Sequence, residues 1–140
     1  MVVFGGCKLR DGKREMLDDT WYIDLFDHEK LKWRCIKVET ERPCSRYGHA
    51  SEVIRNSLVV YGGCNFHAET QEKQVLGDMW LFSLLKKQWV RVALPESFSP
   101  QRTYAKMTAN GDDLFVYGGK LCSREASGKN SAKVLKITFD

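Results

Sequence analysis

The sequence "VVYGG" at residues 59–63 has two near-copies in this chain: "VVFGG" at residues 2–6 and "FVYGG" at residues 115–119. The first glycines of the three pairs are 57 and 56 residues apart. Even spacing of this kind indicates an internal repeat, which decides the architecture before any single element is assigned. The three pairs are Gly5 and Gly6, Gly62 and Gly63, and Gly118 and Gly119.

Two tryptophan markers recur after the glycine pairs. The first is Asp-x-Trp, which occurs as "DTW" at residues 19–21 and as "DMW" at residues 78–80, 59 residues apart. A second tryptophan then opens a short run of alternating apolar and polar residues, at Trp33 and at Trp89. Such alternation is typical of a half-buried strand. Each repeat therefore contains at least three short strands: the apolar run, the Asp-x-Trp strand and the alternating strand.

An arginine marker precedes two of the glycine pairs. "RYGH" at residues 46–49 and "RTYA" at residues 102–105 each begin 16 residues before the first glycine of a pair. The third repeat is degenerate, because "AKVLKITF" at residues 132–139 stands where Asp-x-Trp is expected and has neither the aspartate nor the tryptophan. The arginine segment supplies a fourth strand per repeat.

This ordered set of markers resembles the kelch repeat over nearly the whole chain. The resemblance implies an all-β fold, a kelch-type β-propeller segment with about two and a half four-stranded blades. We expect a partial blade at 1–40 (strands two to four), a complete blade at 41–96 and a partial blade at 97–140 (strands one to three). The segments at 7–17 and 64–77 are predicted to be long loops. The four tryptophans, Trp21, Trp33, Trp80 and Trp89, are interpreted as packing within or between blades.

An incomplete ring predicts further kelch blades, in the same or another chain. A six-bladed ring of two such chains is the less favoured alternative. The composition is that of a globular domain, with 43% apolar and 29% charged residues. The net charge of +4 comes from scattered cations, which favours no nucleic-acid partner. No apolar run is long enough to predict a membrane span.

The five cysteines are spread along the chain without a C-x-x-C pair: Cys7, Cys35, Cys44, Cys64 and Cys122. This spacing predicts neither a disulfide framework nor a structural zinc site. Cys64 and His67 alone would supply two metal ligands of four, so we expect no metal and no cofactor. A cytoplasmic location is expected, with a nuclear one as the alternative.

The resemblance implies a non-catalytic protein-interaction module, as in adaptors, scaffolds or ubiquitin-ligase substrate receptors. Members of the family commonly bind partners on one face, at the start of the first strand and just after the glycine pair. The matching residues are Ser45, Arg46, Cys64, Asn65, Gln101, Arg102 and Lys120. Because an arginine fork binds carboxylates, Arg46 and Arg102 favour an acidic peptide or a free C-terminus. The alternative is that each arginine pairs within its own blade.

A different class of function is a fragment of a kelch-fold enzyme, of the metal-dependent oxidase or specifier-protein type. Such enzymes need clustered histidine, tyrosine or carboxylate ligands. The sequence has only His28, His49 and His67, and it shows no Ser-His-Asp order, phosphate-binding loop or paired-carboxylate motif. We therefore predict no catalytic residue.

Overall fold

The computed structural model describes residues 1–26, 28–95, 101–121 and 133–139. All regular secondary structure in these residues is β-strand, which confirms the all-β prediction. The strands are β1 Val2–Arg10, β2 Lys13–Tyr22, β3 Arg34–Ile36, β4 Ala50–Ile54, β5 Ser57–Tyr61, β6 Cys64–Phe66, β7 Lys73–Val75, β8 Met79–Ser83, β9 Gln88–Val92, β10 Arg102–Thr103, β11 Lys106–Asn110, β12 Asp113–Tyr117, β13 Lys120–Leu121 and β14 Leu135–Thr138.

Three antiparallel sheets follow one another along the chain as propeller blades. Blade 1 is β1-β2-β3, blade 2 is β4-β5-β8-β9 and blade 3 is β11-β12-β14. Two small sheets, β6-β7 and β10-β13, stand beside the blades. The predicted boundary between residues 40 and 41 lies between β3 and β4, and the one between 96 and 97 lies outside the described residues.

Two apolar layers separate the blades, and β5 contributes to both. Leu58 and Val60 point toward blade 1, whereas Val59 and Tyr61 point toward blade 3. A strand covered on both faces must be apolar at every position, which explains the unbroken "LVVY" run. The layer between blades 1 and 2 contains Phe4, Leu58, Val60, Trp80, Phe82 and Trp89. The layer between blades 2 and 3 contains Val59, Tyr61, Met79, Leu114 and Val116 among others.

The four tryptophans divide into two buried and two exposed side chains. Trp80 is 5% and Trp89 is 4% exposed in the layer between blades 1 and 2. Trp21 is 36% and Trp33 is 40% exposed, which departs from the packing expected for them. Trp21 pairs with Val3 and lies with it on the side of blade 1 that faces away from blade 2. No sheet in the described ranges covers that side.

The two segments predicted as long loops contain paired strands. Residues 7–10 and 13–17 continue β1 and β2 as a hairpin, and residues 64–75 contain the β6-β7 pair. The β1-β2 hairpin turns at Asp11 and Gly12, whose φ angles are 49° and 75°. Two consecutive positive φ angles at Asp-Gly match a type I′ hairpin turn. The loop prediction was wrong because strands can pair through their backbone groups without the alternating apolar pattern by which a strand is recognised in a sequence.

Candidate functional site

One end of the blades gathers the connections that follow the glycine pairs and the segments that enter the first strands. Tyr47 and Cys64 exchange two backbone hydrogen bonds, with N–O distances of 3.0 and 2.9 Å. In the third repeat, Thr103 pairs with Lys120 in the same way. We call this end the loop face: residues 45–49, 64–75, 101–104 and 120–121, with the β1-β2 hairpin. The predicted site residues therefore lie on one face.

The glycine pairs place the arginine segments on this face. Gly62 has φ +67°, and a Cβ atom there would lie 2.6 Å from the carbonyl oxygen of Arg102. The amide of Gly63 donates to that same oxygen at 3.0 Å. Gly5 repeats the arrangement, since its Cβ would lie 2.8 Å from the carbonyl oxygen of Arg46. Only glycine permits so close an approach of the next blade.

The guanidinium of Arg46 is wholly buried and fully used within blade 2. Its Nη1 and Nη2 donate to the two carboxylate oxygens of Asp78 at 2.7 and 2.9 Å, and Nη1 and Nε also donate to the carbonyls of Gly62 and Cys44. Burial would raise the pKa of Asp78, but hydrogen bonds from Arg46 and Trp80 outweigh burial and lower it. The structure favours pairing within the blade for Arg46, and leaves no donor for a partner.

Arg102 is buried equally deeply but lacks such a partner. Its Nη1 donates to the carbonyl of Gly118 at 3.2 Å, as Arg46 does to Gly62. Its Nε and Nη2 have no hydrogen-bond acceptor among the described residues. Burial raises the pKa of Tyr61, and the nearby Arg102 opposes that rise. Arg102 is thus a buried cation to which the described residues supply no carboxylate.

The register of blade 3 shows why the acceptor is missing. Leu135 is the counterpart of Trp80, because Leu135 pairs with Val116 and Trp80 pairs with Val60. Each of these valines lies two residues before a glycine pair. Lys133 therefore stands where Asp78 stands in blade 2. The residue at the register position of Asp78 is therefore an exposed lysine, which cannot supply a carboxylate to Arg102. Sequence comparison of the repeats showed the loss of the aspartate, and the register shows its consequence.

Three aromatic side chains on the loop face were not predicted. The rings of Tyr47 and Phe66 are stacked with centroids 6.0 Å apart, and Tyr47 meets Tyr104 edge-on at 6.2 Å. The guanidinium of Arg14, from the β1-β2 hairpin, lies 4.9 Å from the centroid of Phe66. Burial, with Cys64 and Tyr104, raises the pKa of Tyr47, which keeps its phenol neutral. We call Tyr47, Phe66 and Tyr104 the aromatic shelf.

The remaining predicted site residues differ in how far solvent reaches them. Gln101 and Lys120 are exposed, and Ser45 and Asn65 are half-buried. Cys64 is wholly buried, so its side chain cannot meet a partner directly. The accessible part of the predicted site thus comprises Ser45, Asn65, Gln101 and Lys120.

In the part of the chain that the structure describes, no group of three or more His, Cys, Asp or Glu side chains is arranged to hold a metal ion. Cys7, Cys35, Cys44 and Cys64 are unpaired thiols, and Cys122 lies outside that part. The same residues contain no helix suited to crossing a bilayer.

Comparisons with known proteins agree with this geometry. A family model described as the KLHDC2/KLHL20/DRC7 Kelch-repeats domain matches residues 1–138. An F-box/kelch-repeat protein of Arabidopsis thaliana is 39% identical over 84 residues, covering 58% of this chain and 15% of that protein. The host cell factor homolog hcf-1 of Caenorhabditis elegans is 32% identical over 130 residues, covering 84% of this chain and 16% of that protein.

The chain therefore spans less than a fifth of either relative. The solved structure of YjhT superposes with a TM-score of 0.72 over 99% of this chain and 39% of that chain, at 21% identity. At that identity the likeness is one of fold. The family match over almost the whole sequence, with the repeated glycine pairs and arginine segments in matching places, shows that this chain belongs to the kelch-repeat family.

Proposed function

We propose that this chain is a non-catalytic protein-interaction module that binds an acidic peptide of a partner protein on its loop face. Kelch-repeat relatives support an interaction module in general. The acidic partner is supported by one observation above all. Arg102 is wholly buried, and its Nε and Nη2 have no acceptor among the described residues.

Blade 2 indicates which ligand suits such an arginine. The equivalent Arg46 holds a carboxylate with two parallel hydrogen bonds, which is the strong, specific geometry for this pair. Removing one member of a buried ion pair costs about 3–5 kcal/mol, because the other charge stays buried without a partner. Among the described residues of blade 3, Arg102 is in that unfavourable state, with Lys133 at the register position of the aspartate. A carboxylate from a partner would complete the pair at Arg102 once the residues that cover this wholly buried guanidinium move aside.

The charge of the surrounding surface also favours an acidic partner. The exposed part of the β1-β2 hairpin carries four cations, Lys8, Arg10, Lys13 and Arg14, against two acidic residues, Asp11 and Glu15. Lys120 is exposed and lies beside Thr103. Such an excess of one sign draws oppositely charged segments to a surface and raises their association rate.

The test uses the 140-residue chain and fluorescein-labelled hexaglutamate, with hexalysine as the charge control. Lys133→Asp should supply an internal carboxylate to Arg102, because Asp78 occupies the same register position. We expect this variant to melt at a higher temperature and to bind hexaglutamate about tenfold more weakly, in part through the loss of one surface cation. Lys106→Asp makes the same charge change at an exposed position outside the predicted site and is the matched control for that part. Arg102→Lys should also weaken binding, and Lys86→Ala, in the turn between β8 and β9 at the opposite end of blade 2, should not.

Comparing hexaglutamate with its C-terminal amide shows whether a side-chain or terminal carboxylate is bound. Loss of affinity on amidation indicates the terminus. Equal affinity of the parent, Lys133→Asp and Arg102→Lys proteins would contradict the assignment. Metal analysis of the same samples addresses the kelch-fold enzyme, since stoichiometric copper or iron would contradict a non-catalytic module. A cytoplasmic location is part of the proposal and is checked by imaging the tagged chain.

A further inference from the structure

Tyr104 has a backbone conformation that suits glycine. It occupies the position that Gly48 holds in the preceding repeat, and the two φ angles are +57° and +62°. Aromatic residues rarely adopt the left-handed region, because their Cβ crowds the backbone there. Residues held in such conformations cluster at ligand-binding positions. The repeat provides a glycine at this point, and blade 3 replaces it with a bulky ring.

The conformation of Tyr104 displays its ring on the loop face. Its amide donates to the carbonyl of Gly48 at 2.6 Å, which joins the third repeat to the second. Its ring lies over Gly48, where a Cβ atom would be only 3.1 Å from a ring carbon. Even so, 53% of Tyr104 remains exposed. The ring is fixed by its neighbours but is not buried by them.

The exposed ring is the outer member of the aromatic shelf. Tyr104 meets Tyr47 edge-on, at an interplanar angle of 76°, and Tyr47 in turn stacks on Phe66 at 20°. The guanidinium of Arg14 lies over the ring of Phe66, whereas Tyr104 is 53% exposed, so Tyr104 is the accessible end of the shelf. Aromatic rings favour partners with centroids about 4.5–7 Å away, stacked or edge-on. The shelf can thus be extended by one more ring.

We propose that the aromatic shelf binds an aromatic side chain of the partner peptide, with Tyr104 as the ring that contacts it. The inference rests on the proposed acidic-peptide function and adds a residue preference to it. Arg102 lies two residues before Tyr104, so a peptide whose carboxylate reaches Arg102 would carry a neighbouring aromatic side chain to Tyr104. The basic β1-β2 hairpin beside Phe66 fits further acidic residues.

The experiment compares two labelled heptapeptides made of six glutamates with a central tryptophan or alanine. The parent chain should bind the tryptophan peptide about tenfold more tightly. Tyr104→Gly should abolish that preference while leaving the melting temperature equal or higher, because glycine suits the backbone. Tyr104→Phe keeps the ring and should stay within about twofold of the parent in affinity for both peptides.

Four outcomes would overturn the inference. If Tyr104→Gly melts several degrees lower and keeps the preference, Tyr104 has a structural role. If the parent chain binds both peptides equally, the shelf assignment is wrong and the acidic-peptide function stands. If it binds neither peptide nor hexaglutamate, both proposals are wrong. If oligouridylate binds more tightly than either peptide and Tyr104→Gly abolishes that binding, the shelf stacks nucleobases.

Discussion

Replacing Gly62 and Gly118 by alanine separates backbone strain from contact with the next blade. The two glycines hold equivalent places in their pairs and have nearly equal φ angles, +67° and +68°. At Gly62 a Cβ atom would lie 2.6 Å from the carbonyl oxygen of Arg102. At Gly118 no described atom lies within 4 Å of that position. Gly118→Ala is therefore a matched control for conformation alone.

The expected losses of stability follow from these distances. An L-residue in the left-handed region costs about 1–2 kcal/mol, and alanine regains about 0.4–1 kcal/mol by restricting the unfolded chain. Gly118→Ala should therefore cost about 1 kcal/mol. Gly62→Ala adds a clash with backbone, for which overpacking costs about 1–3 kcal/mol. Its total loss should be about 3 kcal/mol.

Thermal unfolding by circular dichroism measures both variants. At about 3–4 °C per kcal/mol for a chain of this size, we expect melting temperatures lower by about 10 °C for Gly62→Ala and about 3 °C for Gly118→Ala. The difference also depends on the hydrogen bond from Gly63 to Arg102, which a shifted blade would lengthen. Equal losses in the two variants would show that the glycine pair does not serve the approach of the next blade.

Two further predictions concern His49 and the tryptophans. Burial, aided by the charge of Arg46, lowers the pKa of His49 to about 4. Because the unfolded histidine binds its proton near pH 6.5, stability should fall by up to about 3 kcal/mol as pH drops from 6.5 to 4. His49→Gln should lose that part of the pH dependence in urea unfolding, and an unchanged slope would refute the assignment. Trp80→Ala should cost about 3–5 kcal/mol and the half-exposed Trp21→Ala less than about 1 kcal/mol, whereas equal losses would contradict the packing described for Trp80.

The sequence predicts the blades because the burial of each blade strand fixes which of its residues must be apolar. A run covered on both faces must be apolar throughout, so β5 is recognisable from "LVVY". The β1-β2 hairpin was missed for the converse reason. Residues 7–17 are mostly exposed on both sides of a two-stranded ribbon, so no apolar alternation marks them as strand. The exposure of Trp21 and Trp33 depends on what covers blade 1, which no repeat motif specifies.

The site was less predictable because its chemistry depends on pairs that are distant in sequence. Spacing alone left open whether Arg46 faces a partner or Asp78, which lies 32 residues away. The sequence did not show that Lys133 stands at the register position of Asp78. That became clear only from the pairing of β14 with β12. The aromatic shelf combines residues from two first-strand segments and from β6, and no linear motif joins them. Tyr104 was visible as a change from glycine, but the sequence did not show its φ angle.

Blade 3 departs from the repeat in two ways that both disfavour folding. Among the described residues no carboxylate pairs with the buried Arg102, because Lys133 stands at the register position of Asp78. Tyr104 adopts a conformation better suited to glycine. Both changes affect the short segment 102–104 on the loop face, where β10 pairs with β13. Natural sequences are expected to break local rules mainly at functional sites. A simple packing defect would account for lost contacts, but not for open donors and an exposed, fixed ring side by side. The proposed binding site for an acidic, aromatic segment would account for both.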